Sequence, residues 1–103
     1  MANVAVGHVL VFGSHRRFGQ VAAKRAVFHG FNVTGITPQN RRLFFDTKEA
    51  CDKDWLVIFI DGSTVTPTGI EYVKTRFPDM DPVILTNVDD CVREVDRMFG
   101  LLI

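Results

Sequence analysis

The chain has 103 residues, 47% of them hydrophobic, and its 12 basic and 12 acidic side chains cancel. That length builds one hydrophobic core and leaves no room for a second, so a single domain over residues 1–103 is predicted. The charge balance gives no basic footprint for holding nucleic acid or an anionic membrane, which disfavours nucleic acid as a partner, and no segment approaches the length of a membrane span.

The start, MANVAVGH, has neither a basic region nor a long apolar run, so a cytoplasmic protein without a membrane segment is expected. Cys51 and Cys91 belong to no CxxC or Cys/His cluster and read as reduced, buried thiols. No metal and no cofactor is predicted.

In chain order, HVLVFG (8–13) is the first strand, and the turn GSHRRFG leads from it into a helix over 16–29. Phe18, Val21, Ala22, Ala26 and Phe28 recur there at helical spacing, and Gly30 follows as a C-cap. FNVTGI (31–36) is the second strand. NRRLFF (40–45) mixes basic and aromatic residues and reads as a two-phenylalanine core anchor with a basic exposed side, while DTKE (46–49) is a capping-box pattern opening a short helix through Cys51. WLVIFIDG (55–62) is the third strand. The next helix has Thr66 as cap and Pro67 at its first position, and buries Ile70, Val73 and Phe77. PVILTN (82–87) is the fourth strand, a helix near 89–99 carries Val92, Val95, Met98 and Phe99 on one stripe, and the closing GLLI reads as a fifth, edge strand.

Most of these strands are apolar at nearly every position, so both faces must meet protein, as in a parallel sheet covered by helices. Right-handed crossovers then give an α/β fold with a doubly wound parallel sheet in the flavodoxin-like order 2-1-3-4(-5), in three α/β/α layers. With GLLI spent on a strand, nothing is left for a helix beside the first one. The helix layer on that face is therefore expected to be incomplete.

Residues 54–87, DWLVIFIDGSTVTPTGIEYVKTRFPDMDPVILTN, resemble the middle of a response-regulator receiver domain. The resemblance implies that Asp61 stands at the phosphoacceptor position, that Gly69 opens the next helix, that Thr86 closes the following strand, and that GLLI begins the strand bearing the receiver's lysine. Receivers also place paired acidic residues after the first strand to hold a divalent metal. Here Gly13 and Ser14 stand in that place, followed by His15, Arg16 and Arg17, and the lysine position falls beyond Ile103. A degenerate, non-catalytic receiver-like domain is implied, with Asp61 capping the Gly62–Ser63 turn.

The stretch GSHRRFG also resembles the first turn of Rossmann-like nucleotide-binding proteins. In that reading Gly13, Ser14, Arg16, Arg17 and Gly19 are phosphate-binding candidates at a helix N-terminus. His15 replaces the second glycine of GxGxxG, and VTGITP offers no carboxylate for a ribose. Read without a ligand, Ser14 caps the helix and the arginines are solvated. His15 and Asp61 are the only catalytic candidates, Asp61 being the one group placed to orient the imidazole, and an enzyme is not the favoured reading.

The first helix is apolar around a broad arc. With the expected gap beside it, Val27, Leu101, Leu102 and Ile103 become interface candidates. The function predicted is therefore a regulatory protein–protein interaction module whose open face takes a protein partner or a second copy as a homo-oligomer. The alternative is a small nucleotide- or phosphate-binding protein using residues 13–19.

Overall fold

The apolar runs pair side by side. The computed structural model describes residues 7–48, 50, 53–86 and 88–102, with the backbone alone at 88–91, 101 and 102. In chain order it has β1 (His8–Phe12), α1 (Arg17–Phe28), β2 (Asn32–Ile36), α2 (Arg41–Phe45), β3 (Trp55–Asp61), α3 (Pro67–Arg76), β4 (Val83–Leu85) and α4 (Val88–Leu102). The four strands are parallel in the flavodoxin-like order β2-β1-β3-β4, with Leu10 opposite Thr34 on one side and Ile58 on the other.

Alternation along the strands sorts the core into two layers. Val9, Val11, Val57 and Phe59 face α1 and α4, while Leu10, Phe12, Ile58 and Ile60 face α2 and α3. Both faces of β1 and β3 are thereby covered, as their continuous apolar sequences require. Leu10, Ile58, Phe59 and Ile60 are each 0% exposed, and each contributes about 1.5–3 kcal/mol by leaving water.

The helix ends follow local chemistry. Gly30, at φ +88°, closes α1 in a Schellman arrangement: its own N–H donates to the Val27 carbonyl at 3.0 Å, and that of Phe31 donates to Ala26 at 3.0 Å. At the start of α3, Thr66 Oγ1 accepts from the Gly69 N–H at 3.1 Å, with Pro67 at the first helical position.

One expectation is corrected. GLLI is not a strand: α4 continues through Leu102 and lies beside α1, so the helix layer on that face is filled by the chain's own last helix. Burial explains the outcome. Val95 and Phe99 are fully buried against the sheet, the Phe99 ring lying 4.7 Å from Phe31 and 5.6 Å from Phe59, and Ala22 and Ala26 keep the facing side of α1 slim. Asp96 ties the two helices together, accepting from Arg25 Nε and Nη2 at 2.8 Å each, with His29 Nε2 at 3.0 Å from its Oδ1. Of the interface candidates, Ile103 and the side chains of Leu101 and Leu102 lie outside the described residues, as do Cys51 and the Cys91 side chain.

The short α2 precedes the DTKE stretch, and helical backbone resumes at Lys48 and Ala50, where the capping-box pattern places a helix start. Between the two, Thr47 Oγ1 donates back to the Phe44 carbonyl at 2.6 Å. Asn40 folds the preceding loop, accepting from the Thr37 N–H at 2.8 Å and donating to the Gly35 carbonyl at 3.0 Å. Phe44 is buried and Phe45 half-buried, while Arg41 and Arg42 are exposed, so NRRLFF does anchor by its phenylalanines.

Candidate functional site

Asp61 ends β3 on the same side as Val57 and Phe59, and this parity carries its carboxylate under the N-terminus of α1. Oδ2 accepts from the N–H groups of Phe18 and Gly19, both at 3.1 Å, and Oδ1 accepts from the Ser63 N–H at 2.8 Å and the Ser63 hydroxyl at 2.5 Å. The side chain is 0% exposed. Burial pushes its pKa upward, but the Ser63 hydroxyl, the Ser63 and Gly19 amides and the Thr64 hydroxyl outweigh it and hold the carboxyl below its ordinary range. Asp61 therefore closes the β3–α3 turn and also caps α1 from a neighbouring strand, supplying the negative charge that the first turn of α1 lacks.

The candidates in the 13–19 turn take their places around this carboxylate. Gly13 adopts φ +83°, and a Cβ there would come within 2.8 Å of Asp61 Cβ; a Cβ on Gly19 would collide with the Gly13 carbonyl. The two glycines thus have a packing cause. Ser14 does not cap α1: its hydroxyl lies against Gly35, and the N-cap is Arg16, with no side-chain bond. The amides that a phosphate would take, those of Phe18 and Gly19, are the ones donating to Asp61. His15 is exposed and is not brought to Asp61; its carbonyl accepts from Gln20 Nε2 at 3.3 Å. Among the described residues no group of three or more His, Cys, Asp and Glu side chains is placed to hold a metal ion, and no helix is long and apolar enough to cross a membrane.

The larger opening lies beside this turn. Because α1 and α3 leave the sheet on opposite faces, their loops diverge between β1 and β3 and leave a crevice at the C-terminal ends of the strands, the usual ligand position of open α/β sheets. The short α2, Arg41–Phe45, does not reach across it. The resulting cavity is about 760 Å³, within the range of about 300–1,000 Å³ typical of small-molecule sites. Phe12, Ile36 and Val73 line its apolar part, Thr64, Val65 and Thr66 one edge, and Phe45 and Tyr72 an aromatic wall.

Its rim is cationic. His15 and Arg16 come from the β1–α1 turn, and Arg41 and Arg42 from the start of α2. Among the described residues none of these three guanidinium groups has an acidic partner, although Asp46 also lines the cavity. Arg16 belonged to the sequence-based candidates; Arg41, Arg42, Phe45 and Tyr72 did not. Their signal was the basic–aromatic mixture of NRRLFF, which core anchoring also explains.

Compared with known proteins, the chain matches no family model, no curated protein and no solved structure. Function is therefore read from the geometry of the crevice.

Proposed function

We propose that the protein is a small-molecule binder that takes an anionic ligand, without catalysing a reaction on it, in the crevice between β1, β2 and β3. The observation that carries this reading is the convergence of Arg16, from the β1–α1 turn, and Arg41 and Arg42, from α2, without acidic partners among the described residues, on one cavity at the sheet's C-terminal edge. Guanidinium forks suit carboxylate and phosphate oxygens, and a partly enclosed site strengthens those bonds. The phosphate-binding alternative moves in this reading from the α1 N-terminus, where Asp61 takes the amides, to the crevice alongside. Thermal unfolding with millimolar phosphate or sulfate tests it: stabilisation is expected, and its loss in Arg41→Ala/Arg42→Ala ties it to the crevice. An equal effect in the double variant would count against the site.

A regulatory interaction module, with a protein partner or a second copy on the outer side of α1, is the second reading. It is favoured by Val27 and Phe28, which are 63% and 69% exposed, and has lost the support of an uncovered helix layer. Light scattering after size exclusion decides it: a dimer that Val27→Glu dissociates supports the module, and a monomer at high micromolar concentration removes it.

A further inference from the structure

We infer that the ligand of the crevice is a 5′-mononucleotide, with its phosphate between Arg16 and the Arg41–Arg42 pair and its base against Tyr72; this rests on the anion-binding reading above. The lining divides by chemistry along α2. Arg41 and Phe45 stand four residues apart, on one face of the helix and separated by roughly 6 Å along its axis. A cationic end and an aromatic end are thereby held one helical turn apart, the place of a pentose between a phosphate and a base. Thr37 and Thr68 line the same cavity and add hydroxyls for hydrogen bonding to such a spacer.

The aromatic end is built to be stiff. Phe45 stacks on Phe12 at 5.8 Å and 21°, meets Tyr72 edge-on at 5.0 Å, and lies under the Arg76 guanidinium at 5.5 Å. Phe45 is thus a fixed wall. Tyr72 lines the cavity while remaining 49% exposed, so ring surface is left for a flat partner. An anion lacking a ring would leave that surface wet, and a neutral ring would leave the guanidinium groups without counter-charge. Three arginines against Asp46 leave a formal excess of two positive charges on the lining, which matches the roughly −1.5 to −2 carried by a phosphate monoester at pH 7.

Titration calorimetry with AMP, GMP, CMP and UMP, and with ribose 5-phosphate, inorganic phosphate and adenosine, tests the inference. At least one nucleotide should bind about tenfold or more tightly than ribose 5-phosphate. Tyr72→Ala should remove about fivefold or more of nucleotide affinity and leave ribose 5-phosphate unchanged, whereas Arg41→Ala/Arg42→Ala should weaken both by about tenfold or more. Far-ultraviolet circular dichroism confirms that the variants are folded. If ribose 5-phosphate or phosphate binds as tightly as every nucleotide, the base site is wrong and the anion site stands. If no phosphate compound binds, or adenosine binds as well as AMP, the anion-binding reading itself fails and the inference falls with it.

Discussion

Replacing Asp61 by alanine should be among the most damaging single changes in the chain. The carboxylate accepts from the Ser63 amide and hydroxyl and from the amides of Phe18 and Gly19, and these last two belong to buried residues in the first turn of α1. A methyl group in its place leaves those amides unpaired, at a cost of about 1–3 kcal/mol each, and removes the charge that opposes the helix dipole. A total near 3–5 kcal/mol follows, a large share of the roughly 5–15 kcal/mol that holds a domain of this kind. For this chain length the midpoint of thermal unfolding should fall by about 12 °C or more. Asp61→Asn keeps one acceptor oxygen and should cost less. Urea unfolding at pH 7, read by circular dichroism and extrapolated linearly, gives the free energies. A loss below about 1 kcal/mol for Asp61→Ala would refute the cap, and with it the reason given for the closed α1 N-terminus.

Asp61 should also stay unmodified when the protein is incubated with acetyl phosphate and Mg²⁺ and weighed intact, because both carboxylate oxygens are engaged and the side chain is buried; stoichiometric addition that disappears in Asp61→Asn would contradict this. Phe99→Ala should destabilise the fold by about 3–5 kcal/mol in the same urea assay, since its ring is fully buried against Phe31 and Phe59, and a near-neutral result would mean that α4 does not pack on this face. Acid should unfold the protein through its carboxylates: Asp61 is lowered by its hydrogen bonds against the upward push of burial, and Asp96 chiefly by the Arg25 hydrogen bond. Each titrates near ~3.9 in the unfolded chain. Their contribution is therefore fully present above that pH and lost as pH falls through the lower folded values. Stability measured from pH 6 downward should be flat at first and then decline below about pH 4, with a shallower decline in Asp61→Asn.

Much of the architecture was legible because burial on two faces leaves a strong mark in sequence. The runs at β1 and β3 are apolar at successive positions, and Gly30, Thr66 and Pro67 announce helix ends by local chemistry that the fold uses as read. GLLI misled for a physical reason: four residues with β-branched and aliphatic character carry no period, and the helix of Val95 and Phe99 runs on past Gly100 through Leu102. The second role of Asp61 was hidden by distance along the chain, since the amides it caps lie 42 and 43 residues away. Gly13 and Gly19 looked like a phosphate turn because close backbone approach selects glycine whether the neighbour is a ligand or the protein itself. The crevice depends on how short α2 is and on what Arg41 and Arg42 face, and neither property has a sequence period.

A titration of the ¹⁵N-labelled protein with inorganic phosphate, followed by amide chemical shifts, tests the central claim most directly. Saturable shifts are predicted at residues 13, 15, 16, 37, 41, 42, 64–66, 68 and 69, which line the crevice, while the amides of Phe18 and Gly19 stay near their starting positions because Asp61 holds them. Shifts centred on Phe18 and Gly19, or none at millimolar phosphate, would contradict an anion site in the crevice.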